Sequence, residues 1–348
     1  MRKTAAKLLT AAALATSLVS VASGTAMADP SVVPATQDIV GVGSDTTQTV
    51  LNQFSTDYNA YLTGLGDTTS PRLYSFDATG SATITAKAGT TAFARPNGSG
   101  AGITALNQTS PSVLPIDFAR SSRAPQTGDL TTDIFVGFAK DAVTWSAKST
   151  GSNAPANLTT ADLKNIYNGT YTTWNQITDI AGYTGPNVTI KPYLPQASSG
   201  TRSFFLKAIG VTTLGANVVT GPEENEGTDA ALNDANVIFP YSVGHYVGQV
   251  YGGHSSGTDA AGVLSLRSIN GVAPLTASNT INPTFANPTY GRTLYNVVRN
   301  AEWTAATTKG IALRNIFGTS GWICTNGAAD IASYGFLTIG GCGSTTHI

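Results

Sequence analysis

The residues best suited to chemistry form a polar turn, Ser198 to Arg202, which reads S-S-G-T-R. A strand-like segment, Lys191 to Leu194, precedes it, and apolar residues at helical spacing follow as far as Gly210. A helix that begins on such a turn points unpaired N–H groups, hydroxyls and the positive end of its dipole at one place. Arg202 adds a planar cation that can hold two oxygens. Because no base accompanies a nucleophile here, the turn indicates a cradle for an anion or polar ligand. An ordinary capped helix with a solvated arginine is the alternative.

Three other turns share this composition, and each follows a predicted strand or opens a predicted helix. They are Ser44 to Thr47 after the strand 38–42, the glycine-rich segment 98–102 around Ser99, and Arg120-Ser121-Ser122-Arg123 after the strand 113–119. In open α/β sheets, ligands bind at the carboxyl ends of the strands, where the helix N-termini point. We therefore expect the four turns to meet if two lobes face each other.

Strands that feed helices predict an α/β fold with mostly parallel sheets. The 348 residues are enough for two domains of common size. Ile134 to Trp145 is strand-like, and the apolar stretch Val237 to Val250 is a candidate crossover back to the first domain. The acidic loop with Glu223, Glu224 and Glu226 is expected at the surface.

Composition restricts the classes of partner. Only 11% of the residues are charged and the net charge is -1, so the chain lacks the basic excess that nucleic acid or anionic lipid would require. The 3 histidines and 2 cysteines show no spacing suited to a metal, and we expect neither metal nor cofactor. In an oxidising compartment, Cys324 and Cys342 are expected to form one disulfide.

The first 28 residues have the features of a signal peptide. Arg2, Lys3 and Lys7 form a basic region, an apolar run covers 8–22, and Ala26-Met27-Ala28 fits a cleavage site. We expect an exported protein whose mature chain begins with Asp29. No cysteine stands at the cleavage point, which predicts free secretion without a lipid anchor.

The order of several motifs resembles the phosphate-binding proteins of ABC uptake systems. The motifs are G-V-G-S-D-T-T, G-S-G-A-G-I, D-F-A-R-S-S-R-A-P, L-T-T-A-D-L-K-N-I-Y-N-G, W-N-Q-I and S-S-G-T-R-S-F-F-L. The resemblance covers about Val40 to Val250 and extends to 268–274 and 292–295. It implies a type II periplasmic-binding-protein fold, with two α/β lobes joined by a two-crossing hinge. With the apolar junctions, it predicts one lobe from 38–137 plus 247–348 and a second from 138–246.

The same resemblance implies a set of ligand-binding residues. Carried over by position, and with the cation of the last turn added, they are Asp45, Thr46, Thr47, Ser99, Ser121, Ser122, Ser199, Gly200, Thr201 and Arg202.

Two positions depart from the family pattern. Ser122 stands where an acidic residue accepts the proton of hydrogen phosphate, and Pro195 replaces an arginine. Arg202, Arg120 or Arg123 could supply the cation instead, and Asp45 could accept the proton. Because a serine both donates and accepts, we expect poorer selectivity for phosphate over sulfate.

The resulting prediction is a secreted, monomeric solute-binding protein that holds a small oxyanion, most of all phosphate, for an ABC permease. One alternative is a surface or matrix protein that keeps the fold without transport. A second is a serine hydrolase, because Gly253 to Gly257 matches G-x-S-x-G around Ser255, with Glu302 or Asp330 and then His347 in hydrolase order. The loop-like context of that motif makes the enzyme the weaker alternative.

Overall fold

The computed structural model describes residues 29–108 and 115–346. The predicted signal peptide and His347 therefore lie outside the described residues. The strands are β1 (Ile39–Gly43), β2 (Leu73–Ser75), β3 (Thr83–Ile84), β4 (Phe93–Ala94), β5 (Phe118–Ser121), β6 (Asp133–Lys148), β7 (Asn157–Leu158), β8 (Lys191–Leu194), β9 (Val219–Thr220), β10 (Val237–Ser242), β11 (Leu264–Leu266), β12 (Ser268–Ile269), β13 (Gly291–Arg299) and β14 (Thr345–Thr346).

The α-helices are α1 (Gln48–Gly64), α2 (Ser99–Leu106), α3 (Thr160–Tyr167), α4 (Gly200–Ala208), α5 (Val243–Val250), α6 (Asn300–Trp303), α7 (Thr308–Phe317), α8 (Trp322–Asn326) and α9 (Ala328–Ser333). Short 3-10 helices cover Asp45–Thr47, Trp174–Gln176 and Ala230–Leu232.

The main sheet consists of two parallel halves joined by antiparallel strands. Its order is β2-β1-β5-β13-β6-β10-β8-β9. Strands β2, β1 and β5 run parallel to one another, as do β10, β8 and β9. Between them, β13 and β6 pair antiparallel with their neighbours and with each other. This arrangement confirms the predicted α/β fold with two lobes.

The long strand β6 belongs to both halves. Its residues Ile134, Val136, Phe138 and Ala139 lie in an apolar core with Phe54 of α1 and Leu313 of α7. Further along, Ala142, Val143, Trp145 and Ala147 lie in a second core with Phe205 of α4. Because successive stretches of one strand are buried in different cores, β6 carries the chain from one lobe into the other.

The lobe boundaries themselves stay a prediction. The second core also contains Ile269, Ile281 and Tyr290, which follow the predicted return at residue 247. This packing favours a return along β13, and we propose that residues 247–290 belong with the second lobe.

The segment from Val237 to Val250, which the sequence makes a candidate crossover, forms β10 and α5. The change from strand to helix falls at Ser242, whose Oγ accepts the N–H of His245 at 3.1 Å as an N-cap. Asp141 Oδ1 accepts the N–H of Gly244 at 2.8 Å. These two acceptors satisfy the first N–H groups of the helix and fix its start.

Cys324 and Cys342 form the predicted disulfide, with their Cα atoms 5.6 Å apart. The bond ties α8 to the chain just before β14. In the stretches 29–108 and 115–346, each helix is too short or too polar to traverse a lipid bilayer.

Candidate functional site

The hydroxyl-rich turns meet between the two lobes, as predicted. Ser44, at the end of β1, donates a hydrogen bond from Oγ to Ser122 Oγ at 3.0 Å. Ser99 opens α2, and its Oγ lies 3.3 Å from Ser122 Oγ and accepts the Ser122 N–H at 3.0 Å. All three serines are fully buried. They bring the ends of β1 and β5 and the start of α2 to one place.

Gly200 brings the first turn of α4 against these serines. A Cβ added to Gly200 would come closer than 3.0 Å to the hydroxyl oxygens of both Ser122 and Ser99. The second lobe therefore touches the first here only because this position has no side chain.

Two threonines face each other across the same contact. Thr46 Oγ1 and Thr201 Oγ1 are 3.3 Å apart, and both side chains are fully buried. Thr46 Oγ1 donates to Glu224 Oε1 at 2.9 Å, and the backbone N–H of Thr201 donates to the same oxygen at 3.0 Å. Since the Thr46 proton is used for Glu224, the Thr201 hydroxyl is the donor between the two threonines. Glu224 was expected at the surface, but it is fully buried, because these donors draw its carboxylate into the cleft.

The cation of the site is Arg292, which the sequence analysis did not select. It is directly opposite Asp141 in the β13–β6 register, and Arg292 Nη2 lies 2.7 Å from Asp141 Oδ2. The same Nη2 donates to Thr201 Oγ1 at 2.9 Å and to Thr46 Oγ1 at 3.4 Å. Arg292 Nη1 is buried and has no hydrogen-bond partner among the described residues. The signal available in the sequence was a charged residue within each of two largely apolar segments, Asp141 in one and Arg292 in the other. Charged residues at such positions are normally paired when they are buried.

The three arginines proposed from the sequence are used elsewhere. Arg202 Nη1 donates to the Pro195 carbonyl at 2.9 Å and to Thr220 Oγ1 at 2.8 Å. Arg120 is fully buried and donates to Ser44 O at 3.0 Å, and Arg123 pairs with Asp129 at 2.6 Å. We therefore replace Arg202 with Arg292 as the candidate cation.

The hydroxyls of two predicted serines form hydrogen bonds within their own turns. Ser199 Oγ accepts the N–H of Arg202 at 3.0 Å and so caps α4. Ser121 Oγ donates to the carbonyl of Arg123 at 2.8 Å and holds its own loop. Thr47 is buried, and within the described ranges its Oγ1 has no hydrogen-bond partner.

Asp45 lies behind the Thr46 turn in a buried charged group. Its Oδ1 accepts from Asn225 Nδ2 at 2.9 Å, and burial raises its pKa well above the usual range, against the opposing charge of His245. The two ring nitrogens of His245 lie 2.6 Å from Asp259 Oδ1 and 3.0 Å from the Thr46 carbonyl oxygen. Burial alone would lower the pKa of His245, but the charges of Asp259 and Asp45 and these two acceptors raise it to about 10. A doubly protonated ring satisfies both acceptors and ties the turn to α5.

The hydrolase motif has a different context from a nucleophile elbow. Gly253 to Gly257 follows helix α5 rather than a buried strand, and Ser255 is exposed. His254 stacks on Tyr334 and contacts Ser333 Oγ at 2.8 Å.

The cleft, by contrast, contains hydroxyls, a helix N-terminus and a guanidinium, which are the groups that recognise an anion.

The fold and the cleft define a two-lobe α/β binding protein. The chain belongs to the PBP superfamily, because the model of the PBP superfamily domain matches residues 28–311. No curated protein matches the sequence significantly.

Solved structures with the same fold agree with this assignment. An ABC-type phosphate transport receptor from Vibrio cholerae has a TM-score of 0.55 and 18% identity, with 87% of this chain and 100% of that chain covered. A Clostridium perfringens protein, described as a candidate phosphate ABC transporter substrate-binding protein with bound phosphate, has a TM-score of 0.57 and 17% identity over 87% and 99% of the two chains. These similarities confirm the fold expected from the resemblance.

Proposed function

We propose that this chain is an exported solute-binding protein that holds a small oxyanion, phosphate first, between its lobes for uptake through an ABC transporter. One observation carries the proposal. Hydrogen-bond donors from both lobes and a cation from the connecting strands meet in one buried group, centred on Thr46, Thr201 and Arg292.

Each of these donors suits a buried anion. The Thr201 N–H lies in the first turn of α4, where N–H groups lack helical partners and the helix dipole is positive. Hydroxyls and amides solvate an oxyanion without a full counter-charge, and Arg292 adds one charge. The Vibrio cholerae and Clostridium perfringens proteins with this fold are described as phosphate proteins, which makes phosphate the first ligand to test.

The test is calorimetric titration of residues 29–348, unfolded and refolded to remove any carried ligand, with phosphate, arsenate and sulfate. Arg292→Lys keeps a charge beside Asp141 but loses the forked geometry. Since a hydrogen bond to a charged group is worth about 1.5–3 kcal/mol, this variant should weaken phosphate binding by about tenfold or more. Arg202→Lys is the matched control, because Arg202 contacts Pro195 and Thr220 outside the cleft, and its affinity should stay within about twofold.

Phosphate binding lost equally in both arginine variants would contradict the assignment of Arg292. If none of the three anions binds at millimolar concentration, the uptake function fails and the alternative of a surface or matrix protein is favoured. The same titrations test the expected weak discrimination against sulfate, which follows from Ser122.

A further inference from the structure

The side-chain carboxylate of Glu224 accepts hydrogen bonds from the donors of the cleft. Its Oε1 accepts the Thr46 hydroxyl at 2.9 Å and the Thr201 N–H at 3.0 Å, so it takes one donor from each side. Its Oε2 is buried and has no hydrogen-bond partner in the described part of the chain. A carboxylate oxygen with these two donors occupies the position that one oxygen of a bound oxyanion would take.

The loop that carries Glu224 is fixed on both sides. The N–H of Glu224 donates to Gln196 Oε1 at 3.0 Å. The next residue, Asn225, has a φ of 59°, a left-handed conformation that asparagine tolerates better than most residues. Its side chain donates to Asp45, and its carbonyl accepts from Gln249 Nε2 at 2.9 Å. The loop therefore positions the Glu224 carboxylate in the cleft.

The charges near Glu224 disfavour the binding of a second anion while Glu224 stays in place. Arg292 is the cation within reach of both threonines, and Asp141 already pairs with it. The other cation next to the Thr46 turn, His245, is paired with Asp259. Glu224 therefore adds a buried carboxylate to a group whose two cations already have carboxylate partners. A phosphate that used the donors of Thr46 and Thr201 while Glu224 stayed would place like charges in contact, which is strongly unfavourable in a buried site.

We propose that Glu224 is a built-in competitor of the anion, an inference that rests on the proposed function. Its carboxylate holds an oxyanion position in the cleft and leaves when phosphate takes the donors of Thr46 and Thr201. Glu224 thereby sets the affinity for the ligand, since every binding event must replace a carboxylate that is already hydrogen-bonded.

The experiment is titration of refolded protein with inorganic phosphate and sulfate, comparing wild type with Glu224→Gln and Glu224→Ala. Both changes remove the competing charge, so phosphate should bind at least about tenfold more tightly. Glu223→Gln is the matched control, since this neighbour contacts Asn97 Nδ2 at 2.8 Å, and its affinity should stay within about twofold. Thermal unfolding checks that each variant is folded, and Glu224→Gln keeps the shape of the side chain if Glu224→Ala is unstable.

The outcomes separate this inference from the proposed function. Tighter binding in the Glu224 variants than in wild type supports it. Binding by these variants alone would support the competitor while contradicting uptake by the wild-type chain. Unchanged or weaker binding, with wild type still binding phosphate, overturns the competitor and leaves the receptor function intact. If the Glu224 variants lose affinity for phosphate but not for sulfate, the competitor is overturned. Glu224 would then be the proton acceptor for hydrogen phosphate. If no form binds either anion, the proposed function fails and the inference fails with it.

Discussion

Replacing Gly200 with alanine should disrupt the contact between the lobes without unfolding either lobe. Within α4, alanine is the better helix former by about 0.5–1 kcal/mol, so the helix itself should tolerate the change. The new Cβ, however, would overlap the hydroxyls of Ser122 and Ser99 and lie 3.2 Å from Ser99 Cβ. Both hydroxyls are buried and hydrogen-bonded, so they cannot turn away freely.

Overpacking of this kind costs roughly 1–3 kcal/mol, which corresponds to a loss of phosphate affinity between about fivefold and about 160-fold. Calorimetry measures the affinity, and small-angle scattering should show a larger radius of gyration as the lobes move apart. Gly221→Ala is the matched control, because a Cβ there meets no atom within 4 Å. Phosphate affinity within about twofold of wild type in Gly200→Ala would refute the reasoning, since the cleft would then not depend on this contact.

Two further predictions concern stability. Replacing Cys324 and Cys342 with serine opens a loop with a sequence separation of 18 and should lower the free energy of unfolding by about 3 kcal/mol; an unchanged urea midpoint would contradict this. The raised pKa of His245, about 10, stabilises the fold fully below pH 6.5, the ordinary histidine pKa, and this stabilisation should be lost progressively as pH rises from 6.5 through 10. The urea midpoint should therefore fall with pH over that window in wild type and fall less in His245→Gln, and parallel curves for the two proteins would refute the role of His245.

The sequence predicted the fold because each recognisable unit is local. A strand, a hydroxyl-rich turn and a helix are adjacent in the chain, and their order is enough to indicate lobes of parallel strands. The meeting of Thr46, Ser99, Ser122 and Thr201 followed from the rule that ligand-binding turns collect at the carboxyl ends of strands.

The charged residues of the cleft were harder to predict because their positions depend on long-range pairing. Arg202 follows Thr201 directly, but successive residues of a helix point about 100° apart, so the two side chains face different neighbours. Arg292 reaches the site only through its register with Asp141, 151 residues away in the chain. Glu224 belongs to a loop whose acidic composition is typical of the surface, and the donors that hold it inside come from elsewhere in the fold.

Arg292 and Asp141 lie on β13 and β6, so the charge of the cleft and its hydroxyl groups are carried by different parts of the fold. Both residues belong to the strands that connect the lobes, whereas Thr46 and Thr201 belong to the lobes themselves. A rotation of one lobe against the other about these strands would change the distance between the threonines and leave the charge pair together. Under the proposed function, the guanidinium would thus be a cation of fixed position for the anion, and the distance between the two hydroxyls would depend on how far the lobes have closed.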